Sequence, residues 1–205
     1  MLIQSLETGS FAANCYLVAC AETRQGLLID PGDEAERIIE MVKENKVTIK
    51  YIFNTHGHFD HTGANDVVRA AFKAPVLIHT ADGELYNRPH ESLAAFFGSG
   101  DLGKPDRLVT DGEQLQFGKL TATVIATPGH TKGSSCLLIK DALFSGDTLF
   151  AGSVGRTDFP GGSMAELLKS IKEKLLVLPP ETKVYPGHGP STTIGRELAS
   201  NPFLQ

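Results

Sequence analysis

The stretch Thr55-His56-Gly57-His58-Phe59-Asp60-His61 places three of the chain's seven histidines and an aspartate within six residues. Imidazole and carboxylate are the donors that a borderline metal such as zinc prefers. The pattern H-x-H-x-D-H offers four candidate ligands, His56, His58, Asp60 and His61, whereas a mononuclear catalytic zinc takes only three from its protein. The surplus points to two metals, and paired metals point to hydrolysis. Without a metal, these groups would carry a desolvation cost with little to offset it. Three further candidates each follow a strand-like run and a glycine: His130 in Pro128-Gly129-His130-Thr131, Asp147 in Ser145-Gly146-Asp147 and His188 in Pro186-Gly187-His188-Gly189. Glycine lets the chain bend tightly and brings the next side chain close to its neighbours. Taken alone, His130 and His188 read as turn residues; beside a metal-binding turn they become ligands. His79 and His90 lack that context and read as surface or turn histidines.

The elements that must carry these residues are legible from apolar periodicity. Cys15–Ala19 and Gly26–Ile29 predict strands, the second stopped by Asp30-Pro31-Gly32. Ala35, Ile38, Ile39 and Val42 recur at helical spacing, with Asp33 and Glu36 as a capping box. A strand over Ile49–Asn54 delivers the chain to His56. A second helix follows His61, with Ala64, Val67, Val68, Ala71 and Phe72 on one face, and Pro75–Ile78 is strand-like. The second half predicts strands over Gln114–Phe117, Leu120–Thr127, Ser135–Ile139, Ala142–Phe144 and Lys183–Tyr185. It also predicts a helix from Met164 capped by Ser163 and Glu166, ended by Pro179-Pro180, and a last short helix over Ile194–Ser200. Strands outnumber helices, and helices punctuate both halves, which predicts a layered α/β sandwich. The segment from Asn87 to Pro105 has no clear period and reads as a long functional loop.

At 205 residues, a single domain spanning 1–205 is expected. A net charge of −5 argues against nucleic acid or an anionic membrane as partner, and no apolar run reaches spanning length. The first basic residue is Arg24, so no charged leader segment is read at the N-terminus. Cys15, Cys20 and Cys136 are odd in number and form no metal or redox spacing; they read as buried apolar residues of a cytoplasmic protein.

The set T-H-x-H-x-D-H, P-G-H-T, S-G-D and P-G-H-G, in that order from about Asp30 to Pro190, resembles the metallo-β-lactamase superfamily. Gly155-Arg156-Thr157-Asp158-Phe159-Pro160 and the terminal Asn201-Pro202-Phe203-Leu204-Gln205 are similar to short bacterial glyoxalase II enzymes, hydroxyacylglutathione hydrolases without a C-terminal helical domain. The resemblance implies a four-layer αββα sandwich. It implies that His56, His58 and His130 hold one divalent metal, that Asp60, His61 and His188 hold another, and that Asp147 bridges them. Zinc is the first expectation, with iron or manganese also suited to these donors. The implied reaction is hydrolysis of a small-molecule thioester such as S-lactoylglutathione by a hydroxide shared between the metals, which Asp60 also orients.

Around that centre, Asp30 and Thr55 are candidates for orienting ligand histidines, with a turn role for Asp30 as the alternative. Arg156 is a candidate for a substrate carboxylate, with pairing to Asp158 as its alternative; Phe150, Phe96 and Phe97 are candidates for the pocket wall or for core filling. The β-lactamases with two zincs are a poorer match, because they typically carry a cysteine where this chain has Asp147. Persulfide dioxygenases of the same superfamily are the nearest rival: they share the G-R-T-D-F segment and hold one iron, here implied at His56, His130 and Asp147. Lactone hydrolysis is a third possibility with the same metals.

Overall fold

The computed structural model describes residues 1–87 and 103–205. Among these residues, two six-stranded sheets face each other. The first runs β1 (Leu2–Thr8), β2 (Ala13–Ala19), β3 (Gln25–Ile29), β4 (Thr48–Asn54), β5 (Val76–His79) and β6 (Arg107–Val109), in that spatial order. The second comprises β7 (Gln114–Phe117), β8 (Leu120–Ala126), β9 (Ser135–Ile139), β10 (Ala142–Gly146), β13 (Lys183–Pro186) and β14 (Thr192–Thr193), in the order β14-β13-β10-β9-β8-β7. A small hairpin, β11 (Leu149–Phe150) and β12 (Ser153–Val154), lies between β10 and β13 in sequence.

Side-chain alternation builds the layers. Tyr16, Val18, Leu27, Ile29, Phe53 and Leu77 point inward to meet Phe117, Val124, Leu137 and Phe144 of the other sheet. Their neighbours Leu17, Leu28, Ile52 and Ile78 point outward, beneath α1 (Ala35–Glu44) and α3 (Asn65–Phe72). On the far side Cys136, Leu143 and Val184 pack under α4 (Met164–Ser170), whose Leu167 is buried, and under the wider π-type turn Ile171–Leu175 that continues it. Strands buried on both faces read as continuous apolar runs, which is how the sequence shows them. The αββα sandwich expected from the resemblance is the fold observed.

Several local expectations change. β1 extends the first sheet at its edge, where Gln4, Ser5 and Glu7 are exposed and mask the strand pattern. The Asp33/Glu36 box does not form. Glu34 occupies the cap in a left-handed conformation (φ 51°), because its carboxylate accepts from Gly9 N at 3.1 Å and from Arg37 at 2.7 Å. The Ser163 cap does form, accepting from Glu166 N. After α2 (Phe59–Thr62), α3 buries Ala64, Asn65 and Val68, while Val67 and Ala71 are exposed. Asn65 turns inward to donate to Asn54 and Tyr86, each at 2.8 Å, which rotates the predicted face. His79 caps a 3-10 turn, as a turn histidine. All three cysteines are unpaired and buried. Phe96, Phe97, His90 and most of the Asn87–Pro105 loop lie outside the described residues. Among the described residues no helix is long and apolar enough to cross a membrane.

Parallel pairing of β3 with β4, and of β10 with β13, brings their carboxyl ends to one edge of the sandwich. Asp30, the Thr55–His61 turn, Asp147 and His188 all leave strands there, and His130 joins them from the end of β8.

Candidate metal centre

From β4 the chain turns so that His56 and His58 face His130 across the gap between the sheets. His58 Nδ1 lies 2.9 Å from His130 Nε2, which lies 3.2 Å from His56 Nε2. Three nitrogens held about 2.0–2.1 Å from a tetrahedral zinc would be about 3.3 Å apart. The proton positions follow from the outer partners. Arg156 O, 2.7 Å from His130 Nδ1, can only accept, so that nitrogen carries the proton. The Thr55 hydroxyl donates to Asp30 Oδ2 at 2.7 Å and accepts from His56 Nδ1 at 3.1 Å. Burial, reinforced by neighbouring imidazoles, pushes the pKa of His56 well down and that of His58 to about 3. His56 Nε2, His58 Nδ1 and His130 Nε2 thus turn toward one point, an arrangement suited to a cation.

The second cluster is charged. His61 Nε2 sits 3.2 Å from His188 Nε2, 3.6 Å from Asp60 Oδ2 and 3.4 Å from Asp147 Oδ1; His188 Nε2 is 3.4 Å from Asp60 Oδ2. Burial opposes charge on His61, but Asp60, Asp147 and Asp30 outweigh it and lift its pKa to about 10. Burial likewise opposes charge on His188, yet Asp60 and Asp147 raise it. The same imidazoles hold Asp60 below the usual carboxylate range despite its burial. This anionic pocket favours positive charge, whether a proton on His61 or a cation in its place. Asp147 stands between the clusters, with Oδ2 3.6 Å from both His130 Nε2 and His188 Nε2. Its buried Oδ1 has no hydrogen-bond partner, although buried carboxylate oxygens normally have one. Three sets of donors each come within metal-binding reach: His56, His58 and His130; His56, His61 and Asp147; Asp60, His61 and His188.

One carboxylate orients histidines of both clusters. Asp30 accepts from Thr55 N at 2.8 Å and from the Thr55 hydroxyl, and it lies 3.0 Å from His61 Nδ1. His188 Nδ1 lies 3.0 Å from Phe11 O. Asn14 Nδ2 donates to Pro186 O and Gly189 O, and Tyr16 OH donates to Pro186 O, so β2 secures the turn that carries His188. Gly146 adopts φ +48°, and an added Cβ there would lie 2.3 Å from Thr55 Oγ1. Only glycine lets β10 approach Thr55 that closely.

The clusters open on a cleft of about 400 Å³ lined by Phe11, Phe59, Phe150, Val154, Arg156 and Phe159. Of the two alternatives for Phe150, the pocket wall and core filling, its position lies at the cleft. Arg156 lines it too, but its guanidinium is committed to Asp158 at 2.7 and 2.6 Å and stacks over Phe159 at 3.9 Å. Phe11 and Phe59, which meet edge to face at 5.3 Å, were not anticipated; a lone phenylalanine in a β1–β2 loop carries no sequence signal. Phe159 falls inside the Gly155–Pro160 motif that carries part of the resemblance, although the motif gave Phe159 itself no role.

The family model described as the metallo-beta-lactamase superfamily matches residues 8–188. The chain belongs to this superfamily. It is similar to the hydroxyacylglutathione hydrolase GloC of Haemophilus influenzae, 36% identical over 209 residues that cover 100% of this chain and 98% of that protein. Among solved structures it is similar to BLEG-1, a B3 metallo-beta-lactamase, with a TM-score of 0.93, 38% identity and 100% coverage of both chains. It is also similar to TTHA1623 in a di-iron-bound form, with a TM-score of 0.88, 40% identity, 98% coverage of this chain and 100% of that one. BLEG-1 narrows the distance from β-lactamases that the Asp147 position suggested. The chain is therefore a member of a superfamily of hydrolases and related enzymes, with a histidine and aspartate cluster suited to divalent metals.

Proposed function

We propose that this member of the superfamily is a metal-dependent hydrolase of small-molecule thioesters. The observation that carries the proposal is the convergence of seven donor residues into two clusters that share Asp147, beside an open cleft with aromatic walls. His56, His58 and His130 would hold one metal, Asp60, His61 and His188 the other, with Asp147 common to both. When bound, such metals supply an activated water and polarise a carbonyl. The chain does the rest. Asp60, facing the cleft, would accept a hydrogen bond from the attacking water and keep it oriented. The phenylalanines reduce the water around the reacting carbonyl, which strengthens the local electrostatics. A thiolate with a conjugate pKa near about 8.5 leaves without a proton donor, so the cleft needs no dedicated acid. The full-length similarity to GloC supports a thioester rather than another acyl bond.

The test is a metal count by elemental analysis of the purified protein, with parallel assays of S-lactoylglutathione hydrolysis, β-lactam hydrolysis and persulfide-dependent oxygen uptake. Two metals per chain with thioester hydrolysis as the fastest reaction is the expected result. One iron per chain with oxygen uptake and no thioester cleavage would overturn it, as would preferential β-lactam cleavage.

A further inference from the structure

Asp82 closes the short 3-10 turn Thr80–Asp82 that follows β5, and it takes no part in the chemistry above. Its side chain is buried, with the residue 1% exposed. Three groups donate to it: Gly57 N at 2.9 Å and Thr131 Oγ1 at 2.7 Å to Oδ2, and Gly133 N at 2.6 Å to Oδ1. Burial raises its pKa above the ordinary value, and the three donors pull in the opposite direction.

The placement of these donors is informative. Gly57 is the residue between His56 and His58, and its peptide orientation sets how the two imidazoles diverge. Thr131 follows His130 directly, and Thr131 N and Oγ1 also meet Ser134 Oγ at 3.0 and 2.8 Å, which makes that turn rigid. The two turns leave different sheets, β4 on one side and β8 on the other. A single carboxylate therefore ties together the backbones that present His56, His58 and His130. A Cβ on Gly133 would lie 2.4 Å from Asp82 N, so the turn is packed directly against the clamp. We infer that Asp82 is a positioning residue that holds these three histidines in register for a metal without touching it. This rests on the assignment of those histidines as ligands, and not on the choice of thioester as substrate.

Glu197 provides a matched control. It is equally buried and accepts from Gly152 N at 2.8 Å, Thr192 Oγ1 at 2.6 Å and Asn201 Nδ2 at 2.8 Å, none of them on a turn that bears a metal donor. The experiment measures zinc affinity by competition with a chromophoric chelator for the wild type, Asp82→Asn, Thr131→Val and Glu197→Gln, alongside the Tm of each metal-free protein. Substitutions in the shell around metal ligands cost about 10- to 100-fold in affinity. Asp82→Asn is expected to fall in that range, and Thr131→Val, which removes one donor of three, to lose several-fold. Glu197→Gln is expected to keep wild-type affinity even where its Tm falls as far. Wild-type affinity in Asp82→Asn overturns the inference, and so does an equal loss in Glu197→Gln, which would mark general loosening. Should Asp82→Asn fail to fold, Thr131→Val decides: unchanged affinity there overturns it. A wild-type protein that binds no zinc, iron or manganese instead removes the metal-centre assignment itself.

Discussion

Gly187→Ala adds one methyl group at a crowded point of the centre, directly against Asp147 and His61. Gly187 lies outside the left-handed region, so alanine can adopt its backbone conformation. The added Cβ would sit 2.2 Å from Asp147 Oδ1 and 2.8 Å from His61 Cε1. Real Cβ atoms essentially never approach closer than 3.0 Å, so the Asp147 carboxylate must retreat by about 0.8 Å. The backbone cannot retreat instead: Gly187 N donates to Gly146 O at 2.8 Å, and Gly187 O accepts from Asn14 N at 2.7 Å. Metal–ligand distances tolerate about 0.2 Å, and a misplacement of about 1 Å at a reacting centre costs about 100-fold in rate. The expected outcome is a folded protein that loses about 100-fold in kcat and binds less than two metals per chain. Its metal-free Tm should fall by several degrees at most, because an overpacking cost of about 1–3 kcal/mol is partly offset by the about 0.4–1 kcal/mol that Gly→Ala gains through the unfolded state. The assay is thioester turnover with elemental analysis on the same preparation. A Gly187→Ala protein with wild-type kcat and a full metal complement would refute the placement of Asp147 between the clusters.

His188→Ala should lower bound metal from two per chain toward one and nearly abolish hydrolysis; unchanged activity would contradict the two-metal assignment. Asp30→Asn removes the charge that orients both Thr55 and His61, and it should weaken metal binding about 10- to 100-fold by chelator competition. The metal-free protein should be most stable near pH 6.5. His58, with a pKa of about 3 in the fold, contributes stability that is present above 6.5 and lost as pH falls toward 3. His61, raised to about 10, contributes stability that is present below 6.5 and lost as pH rises toward 10. Each arm has a slope of up to about 1.4 kcal/mol per pH unit. A Tm that stays flat in chelator from pH 7 to 10 would contradict the His61 arm.

The donors were legible because they sit in short motifs directly after apolar runs, and the fold brings all seven together. Asp30 and Thr55 were legible for the same reason, each being the first polar residue after a strand. Asp82 was not: its three partners lie 25, 49 and 51 residues away, and nothing in Thr80-Ala81-Asp82 announces them. Arg156 was read with two alternatives, and the side chain takes the pairing with Asp158 while its carbonyl serves His130. The Asp33/Glu36 cap did not form, and Glu34 instead accepts from Gly9 in the turn between β1 and β2. Val67 was misplaced because Asn65, a polar residue, takes an inward position. At Glu34 and Asn65 a hydrogen bond to a residue remote in sequence overrode a local pattern, whereas Arg156 took a partner two residues away.

The two sheets meet through an apolar interior, and at their open edge the candidate metal donors of both come together. Each of the three donor sets contains members from both sides: His56, His58, Asp60 and His61 from the first sheet, His130, Asp147 and His188 from the second. A cation there fastens the halves of the sandwich together like a rivet through two plates. At an ion concentration about 1,000 times its Kd, that fastening adds about 4 kcal/mol to the folded state, a large fraction of the total for a domain of this size. No donor set is complete on either sheet alone, so full metal occupancy would be a property of the docked sandwich and would report that its two halves have joined.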